Sequence, residues 1–174
     1  MDNIVLIGLM GAGKTSVGTS LSARTGRPFI DTDREIEKKL GMKITDIFRR
    51  KGEAFFREFE ELTLAEAADR SGAVIATGGG AVLSEAAMCA LKRTGKVFYL
   101  YACPYTLSLR LKGDGARPLL KGGGGDTTEK LAACLAPRQA LYERYADHII
   151  DTKHKTVAQV ATEILSLLSP ARGS

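Results

Sequence analysis

The pattern of apolar and polar positions along the chain predicts an α/β fold. Five short apolar runs, rich in β-branched and aromatic residues, are typical of buried parallel strands. They cover residues 3–7, 27–30, 73–76, 96–101 and 148–151. Apolar residues at helical spacing fill most of the stretches between these runs. We therefore expect a parallel sheet of about five strands, with helices on both faces and right-handed crossovers.

Capping residues and glycines set the predicted helix boundaries. The first helix begins at Lys14 and ends before Gly26, because a glycine after the last turn commonly stops a helix. Apparent capping boxes open helices at Asp126 and at Thr156. Further helices are expected over residues 34–40, over 45–70 with an interruption near Gly52, over 84–92, from Pro104 onward, and after a kink or restart at Pro137.

Helical periodicity also assigns faces within the predicted helical stretch at residues 45–70. Phe48, Phe55, Phe59 and Leu62 fall on one stripe, which predicts that they pack in the core. Arg57 lies on the opposite side of that stripe. Periodicity alone therefore makes Arg57 a surface arginine.

Length and composition fit one domain covering residues 1–174. No apolar run approaches the roughly 20 residues that span a bilayer, and the first residues lack a signal-peptide pattern. We therefore expect a cytosolic protein without a membrane partner. The three cysteines are widely spaced and only two histidines accompany them, so we interpret them as reduced, mostly buried side chains rather than metal ligands.

The net charge of +5 is compatible with nucleic acid or with small anionic ligands. The lysines and arginines are scattered, and the longest basic run is Arg49-Arg50-Lys51. Small anions account for the excess equally well. With no larger basic cluster in the sequence, we predict no nucleic-acid partner.

The clearest motif is GLMGAGKT at residues 8–15, the phosphate loop, which matches G-x-x-x-x-G-K-[ST] without a mismatch. It joins the first predicted strand to the first predicted helix, where backbone N–H groups and the helix dipole favour phosphate oxygens. We predict that Lys14 reaches the β- and γ-phosphates of a nucleotide and that the Thr15 hydroxyl binds Mg²⁺. The complete motif and both flanks argue against a chance glycine-rich turn.

Two aspartates, Asp31 and Asp33, follow the second predicted strand at the sheet edge that also carries the phosphate loop. Residues two apart in an extended chain point the same way, so both carboxylates can face one site. One interpretation gives one aspartate to Mg²⁺ and the other to a substrate hydroxyl. The spacing fits equally well a helix N-cap at Asp33.

Two glycine-rich segments indicate contact with a ligand. Gly78, Gly79 and Gly80 follow the third strand and favour close backbone approach, the alternative being a tight loop against a neighbouring strand. Residues 112–125 are long and glycine-rich for a loop, which is typical of a mobile active-site lid that would deliver Arg117. A plain disordered insertion is the alternative there.

Further short motifs follow one another in order along the chain. They are Gly52-Glu53 with Phe56-Arg57 and Glu60, then Thr77-Gly78-Gly79-Gly80, Arg117-Pro118-Leu119-Leu120, and Arg138 with Leu141-Tyr142. Together with the phosphate loop and Asp31-Thr32-Asp33, this set resembles the shikimate kinases, P-loop kinases similar to the nucleoside monophosphate kinases. The resemblance covers nearly the whole chain. It implies a three-layer P-loop fold, an acceptor-binding region at about residues 33–60 and a lid at about residues 112–125.

The resemblance implies ATP-dependent phosphorylation of the 3-hydroxyl of shikimate, on the route to chorismate and the aromatic amino acids. Separately from the resemblance, we expect a monomer. The implied catalytic residues are Lys14, Asp33 and Arg117. The implied ATP contacts are Gly11, Ala12, Gly13, Lys14, Thr15, Ser16, Arg110, Arg117 and Lys155. The implied acceptor contacts are Asp33, Arg57, Gly78, Gly79, Gly80 and Arg138, with the two arginines on the shikimate carboxylate. Mg²⁺ is implied at Thr15 and, through water, at Asp31.

Two other functions fit part of the sequence. A gluconate or adenylate kinase would share the phosphate loop, but we do not expect it to carry the Asp-Thr-Asp, Gly-Gly-Gly and Arg-Pro-Leu-Leu motifs together. A non-catalytic nucleotide switch would need apolar surface for a partner and no small-molecule clamp. Phosphoryl transfer needs a phosphate cradle, a metal, cations on the γ-phosphate and a group that orients the nucleophile, and the sequence offers a candidate for each.

Overall fold

A five-stranded parallel sheet forms the centre of the computed structural model, which describes residues 1–112 and 126–169. The strands are β1 (Asn3–Ile7), β2 (Phe29–Asp31), β3 (Val74–Ala76), β4 (Gly95–Tyr101) and β5 (His148–Asp151). Their order in the sheet is β2-β3-β1-β4-β5, and each adjacent pair is parallel. The predicted α/β fold with a parallel sheet is therefore confirmed.

The central position of β1 fixes where a ligand can bind. In its middle, Val5 lies opposite Ile75 of β3 on one side and Val97 of β4 on the other. From β1 the chain builds one half of the sheet and then crosses to the other half. The strand order therefore reverses at β1, and open α/β sheets bind ligands in the crevice at the carboxyl end of such a strand.

Helices fill the connections and cover both faces of the sheet. They are α1 (Lys14–Thr25), α2 (Thr32–Leu40), α3 (Ile44–Lys51), α4 (Glu53–Ala68), α5 (Glu85–Thr94), α6 (Pro104–Lys112), α7 (Thr127–Leu135), α8 (Gln139–Tyr145) and α9 (Val157–Leu168), with one 3₁₀ turn at Ala81–Leu83. α1 packs against α9, and α4 packs against α5. The predicted breaks at Gly41 and Gly52 and the restart after Pro137 are present.

Two of the predicted helix caps are present, and the capping box predicted at Asp126 is not. Gly26 ends α1 in the left-handed conformation, with φ 69°. Thr156 and Gln159 form the complete capping box that opens α9. Asp126 does precede α7, but its side chain makes no cap hydrogen bond, so the capping box predicted there is wrong.

The predicted core stripe on the 45–70 segment is correct only in part, because Phe48 and Phe55 pack against a small cluster of buried residues. Leu62 is 55% exposed, and Phe55 and Phe59 are only half-buried. The ring centroids of Phe55 and Phe59 lie 4.9 Å apart. The buried face of α4 instead carries Phe56, Glu60, Thr63, Leu64, Ala67 and Ala68. Arg57 therefore lies beside the buried face of α4, not opposite it.

Two hydrophobic clusters support the fold. The larger one contains the side chains of β1, β3 and β4 and the inner faces of the surrounding helices. The smaller one is built on Ile36 of α2, Ile47 of α3 and Phe56 of α4, all nearly or fully buried. The acceptor-binding region predicted from the sequence thus has a core of its own.

The cysteines are free thiols, as predicted, but they are not mostly buried. Cys89 is exposed, and Cys103 and Cys134 are half-buried. The exposure of Cys89 follows from the packing of α5. This helix buries Ala87, Met88 and Leu91, and Cys89 lies outside that buried set.

No helix in residues 1–112 and 126–169 has the length and apolarity needed to cross a membrane. The cytosolic location stays a prediction. The lid expected at residues 112–125, with Arg117, lies outside the described residues except for Lys112.

Candidate functional site

The phosphate loop leaves the carboxyl end of β1 and enters α1. Gly8, Gly11 and Gly13 have φ values of 146°, 82° and 96°, which favour glycine. A Cβ on Gly8 would also lie 2.6 Å from the Leu100 carbonyl oxygen of β4. The first turn of α1 carries no acidic side chain, and Gly13 at its N-cap has none to offer. The N–H groups of Gly13, Lys14, Thr15 and Ser16 therefore form a helix N-terminus suited to an anion, whereas the Ala12 N–H donates to the Leu9 carbonyl oxygen at 3.2 Å.

The ammonium group of Lys14 lies within this loop. Lys14 is 8% exposed, and its Nζ donates to the carbonyl oxygens of Gly8 at 2.6 Å and Leu9 at 3.1 Å. These contacts keep the positive charge at the carboxyl end of β1. A buried ammonium there favours anionic ligands more than an exposed one would.

Asp31 connects the phosphate loop to α2. Its Oδ2 accepts a hydrogen bond from the Thr15 hydroxyl at 2.7 Å, and its Oδ1 accepts one from Arg34 N at 3.3 Å. Asp31 is therefore the N-cap of α2, and the cap proposed at Asp33 is wrong. The argument that both carboxylates leave one extended strand in the same direction is also wrong. β2 ends at Asp31, and Asp33 lies in the first turn of α2.

Asp33 instead faces the glycine loop, residues 78–80. A Cβ on Gly78 would lie 2.6 Å from Asp33 Oδ1 and 2.8 Å from Glu60 Oε1. A Cβ on Gly80 would lie 1.9 Å from Arg57 Nη1. The predicted close approach is therefore present, and the described groups that need the space are three charged side chains.

Arg57, which is half-buried, and Glu60, which is buried, form an ion pair on α4. Arg57 Nη1 lies 2.6 Å from Glu60 Oε2, and Arg57 Nη2 lies 3.2 Å from Glu53 Oε1. Burial opposes the positive charge, but the two carboxylates outweigh it and raise the pKa of Arg57. The pair thus holds a charged guanidinium against Gly80, and Arg57 is not the surface arginine that periodicity predicts.

Glu60 is a site residue to which the sequence assigned no role. It is 3% exposed, and burial raises the pKa of its carboxyl, although the guanidinium groups of Arg57 and Arg138 partly offset the rise. Its spacing from Arg57 is a signal that sequence reasoning can use, since residues three apart on a helix are neighbours.

We expect the free energy of unfolding to report this pKa. Because the carboxyl of Glu60 has a higher pKa in the folded state, its contribution to stability is present below its unfolded pKa and is lost as the pH rises through the folded pKa. Glutamine does not titrate. The stability of the parent relative to Glu60→Gln should therefore fall as the pH rises.

Urea denaturation of the parent and Glu60→Gln between about pH 4 and pH 8 measures this difference. Glu58→Gln, at an exposed position of α4, controls for the loss of one carboxylate from that helix. A relative stability that stays constant or increases with pH would contradict the raised pKa.

Arg138 reaches the same glycine loop from another part of the chain. It caps α8, and its Nη1 lies 3.5 Å from the Gly79 carbonyl oxygen. The Tyr142 hydroxyl donates to that same oxygen at 2.5 Å. Tyr142 appeared in the sequence only as part of a motif, so its contact with Gly79 is a further site feature without a predicted role.

Gly79 lies between these groups and the phosphate loop. A Cβ on Gly79 would lie 3.6 Å from Met10 N, 3.7 Å from the Gly8 carbonyl oxygen and 3.8 Å from the Tyr142 hydroxyl. The glycine loop and the phosphate loop are therefore in contact. This contact brings a phosphate cradle, an aspartate and two arginines to one edge of the sheet.

Arg110 connects the phosphate loop to the segment after β5. Its guanidinium donates to Thr152 O at 2.9 Å and Thr152 Oγ1 at 3.0 Å, with a longer bond to Gly11 O at 3.4 Å. Lys155 pairs with Glu163 of α9 at 2.6 Å. Arg110 thus lies beside the phosphate loop, whereas the described contact of Lys155 is directed to α9.

Within residues 1–112 and 126–169, no three His, Cys, Asp or Glu side chains form a metal-binding group. The neighbouring oxygens of Thr15 and Asp31 nevertheless fit Mg²⁺, which commonly keeps several waters and takes only one or two carboxylates besides substrate phosphates.

Comparison with known proteins gives consistent matches. A family model described as shikimate kinase matches residues 10–169. A shikimate kinase of Symbiobacterium thermophilum is 46% identical over 168 residues, covering 95% of this chain and 95% of that protein. A shikimate kinase of Cupriavidus pinatubonensis is 44% identical over 169 residues, covering 97% of this chain and 87% of that protein. The solved structure of the shikimate kinase from Acinetobacter baumannii in complex with shikimate has a TM-score of 0.90 and 40% identity, covering 97% of this chain and 93% of that chain.

Proposed function

This chain belongs to the shikimate kinase family, and we propose how its residues carry out the reaction of that family. The reaction is the transfer of the γ-phosphoryl group of ATP to the 3-hydroxyl of shikimate, which gives shikimate 3-phosphate and ADP. The family match excludes the gluconate kinase and switch hypotheses. The observation that carries the proposed mechanism is that Arg57 and Arg138 meet at a glycine loop which also contacts Asp33 and the phosphate loop.

The two arginines bind the carboxylate of shikimate in this proposal. A guanidinium matches a carboxylate with two parallel hydrogen bonds, and such charge-assisted bonds are about twice as strong as neutral ones. Glu60 and Glu53 keep Arg57 in place, and Gly78 and Gly80 leave room for the side chains of this charged cluster. The acceptor is thereby held by the end remote from the reacting hydroxyl.

The phosphate loop holds ATP. Backbone N–H groups of Gly11, Ala12, Gly13, Thr15 and Ser16 surround the phosphates, and Lys14 exchanges its contacts with loop carbonyls for contacts with the β- and γ-phosphates. Arg110 contacts the nucleoside end, where Lys155 is a second candidate. Arg117, outside the described residues, is proposed as the second cation on the transferring phosphate.

Mg²⁺ would bind the Thr15 hydroxyl oxygen, with Asp31 holding one of its waters. When bound, the ion neutralises charge on the β- and γ-phosphates. The contribution of this chain is to hold the Thr15 hydroxyl and the Asp31 carboxylate side by side, with Asp31 fixed as the cap of α2.

Asp33 orients the 3-hydroxyl of shikimate and accepts its proton as the new P–O bond forms and the bond to the ADP oxygen breaks. From the first turn of α2, the carboxylate of Asp33 reaches Gly78 of the glycine loop. The predicted monomer stays a prediction.

A coupled assay of ADP release with shikimate, gluconate and AMP as acceptors tests the activity. Only shikimate should stimulate ADP release. Stimulation by gluconate or AMP without stimulation by shikimate would overturn the proposed substrate.

Arg138→Ala should weaken shikimate binding by about 10-fold to 100-fold, because it removes a charge-assisted contact worth roughly 1.5–3 kcal/mol. Affinity for ATP should change little, since the proposed phosphate cations are Lys14 and Arg117. Isothermal titration with shikimate measures the loss directly.

Arg144→Ala is a matched control on the same helix, because Arg144 is exposed and pairs only weakly with Glu85 at 3.3 Å. It should bind shikimate like the parent. If Arg138→Ala also binds like the parent, the carboxylate clamp is assigned to the wrong residue.

A further inference from the structure

The hydroxyl of Tyr142 occupies an unusual position for a core tyrosine. The side chain is fully buried (0% exposed), its ring stacks on Tyr99 with centroids 4.8 Å apart, and its hydroxyl donates to the Gly79 carbonyl oxygen. A buried hydroxyl needs a hydrogen-bond partner, and here the partner belongs to the loop proposed to contact shikimate.

The same carbonyl oxygen has a second neighbour, Arg138. The bond from the Tyr142 hydroxyl is 2.5 Å long, whereas Arg138 Nη1 lies 3.5 Å away, beyond the usual range for such bonds. Arg138 is half-buried and one helical turn before Tyr142, so both side chains lie on the same side of α8. The two donors share one acceptor, since a carbonyl oxygen has two lone pairs, and the tyrosine holds it more closely.

The tyrosine hydrogen bond matters because the proposed function requires Arg138 to bind the acceptor carboxylate. A guanidinium that was the sole partner of Gly79 O would have to leave a partly buried carbonyl without a hydrogen bond in order to do so. With Tyr142 on that carbonyl, Arg138 can turn to the carboxylate at no such cost.

We propose that Tyr142 is a positioning residue for the acceptor, which keeps the Gly79 carbonyl satisfied and so leaves Arg138 available for the carboxylate of shikimate. This inference rests on the proposed role of Arg138. It concerns acceptor affinity, because Tyr142 touches neither ATP nor the reacting hydroxyl in this scheme.

The ionisation of Tyr142 agrees with a permanent donor role. Burial raises the pKa of its hydroxyl to about 12, although the Arg138 guanidinium opposes the rise. The hydroxyl therefore remains protonated at neutral pH and continues to donate to Gly79.

The chain also contains a matched control. Tyr99 is the other member of the stacked pair and is likewise buried, but its hydroxyl has no hydrogen-bond partner among residues 1–112 and 126–169. Tyr142→Phe and Tyr99→Phe each remove one buried hydroxyl from the same stack. Only the first removes a hydrogen bond to the glycine loop.

Tyr142→Phe should weaken shikimate binding in a direct titration, and raise the KM for shikimate, by about 10-fold, or about 1.4 kcal/mol. The KM for ATP and kcat should stay within about twofold of the parent, a split that a general loss of structure would not produce. Tyr99→Phe should bind shikimate like the parent. Shikimate binding by Tyr142→Phe that equals the parent's would overturn the proposal.

A double-mutant cycle with Arg138→Ala tests whether the effect of Tyr142 on shikimate binding depends on Arg138. Without the guanidinium, loss of the tyrosine hydroxyl can no longer divert it, so the double variant should bind shikimate like Arg138→Ala alone. A full further 10-fold loss would show that Tyr142 shapes the loop independently of Arg138, and would also overturn the proposal. If Arg138→Ala itself has parental affinity, the proposed clamp fails first, which separates the two failures.

Discussion

Lys14→Ala is expected to reduce turnover by about 10³-fold or more, the scale at which loss of a cation or donor on the transferring group is felt. The Lys14 ammonium lies inside the phosphate loop on the Gly8 and Leu9 carbonyl oxygens, at the position where the β- and γ-phosphates would bind. Alanine keeps the backbone cradle but removes the only one of the proposed phosphate cations that belongs to the loop itself. Steady-state ADP release with saturating shikimate measures the loss.

The expected fall in turnover must occur in a folded protein. Lys92→Ala is a suitable control, because Lys92 also donates to a backbone carbonyl, Tyr145 O at 2.9 Å, and pairs with Asp147 away from the phosphate loop. Thermal unfolding of both variants without ligand should show cooperative transitions, and Lys92→Ala should keep its turnover. A Lys14→Ala protein that unfolds would point to a structural lysine instead.

The elements that the sequence predicts best are those specified by local chemistry. Gly8, Gly11 and Gly13 require left-handed backbone, and the capping box at Thr156 satisfies N–H groups at one helix end, so both signals lie within a few residues. The parallel sheet follows from the alternation of strand and helix patterns. Long-range packing has no part in these inferences.

The features that the sequence predicts poorly depend on packing between distant elements. Periodicity placed Arg57 on the solvent side, whereas α4 buries the neighbouring positions Phe56 and Glu60 against α2, α3 and the glycine loop. The stripe of Phe48, Phe55, Phe59 and Leu62 defined the predicted buried face. Glu60, a charged residue, gave no sign that its own face of α4 is the buried one. Hydrophobic periodicity does not detect the ion pair between Arg57 and Glu60, because both residues count as polar in the pattern.

Asp31 shows how one carboxylate can bind two different partners at once. Asp31 is both a helix cap and a neighbour of the Thr15 hydroxyl, since its two carboxylate oxygens point to different partners. The sequence offered a helix cap at Asp33 as the alternative to a metal and substrate role for the two aspartates. The cap lies at Asp31 instead, and Asp33 faces the glycine loop.

Asp33→Asn should lower kcat by roughly 10²-fold to 10⁴-fold, the range attributed to a general base. Asparagine keeps the shape of the side chain beside Gly78 but cannot accept the proton of the attacking hydroxyl. Some loss of shikimate affinity should accompany the change, because a charged acceptor becomes a neutral one. The effect should persist at saturating shikimate, unlike that of Arg138→Ala, whose main effect is on affinity.

Asp33 also lies in the first turn of α2, where a negative charge stabilises the helix dipole, so its loss could lower activity through stability alone. Asp46→Asn separates the two causes, since Asp46 occupies the first turn of α3 and pairs with Arg49 away from the glycine loop. Both variants should lose a similar, small amount of stability, about 0.3–1 kcal/mol. Only Asp33→Asn should lose turnover, because only Asp33 would meet the 3-hydroxyl. Normal kcat of Asp33→Asn at saturating shikimate would remove Asp33 from the chemical step and leave the proton to another acceptor.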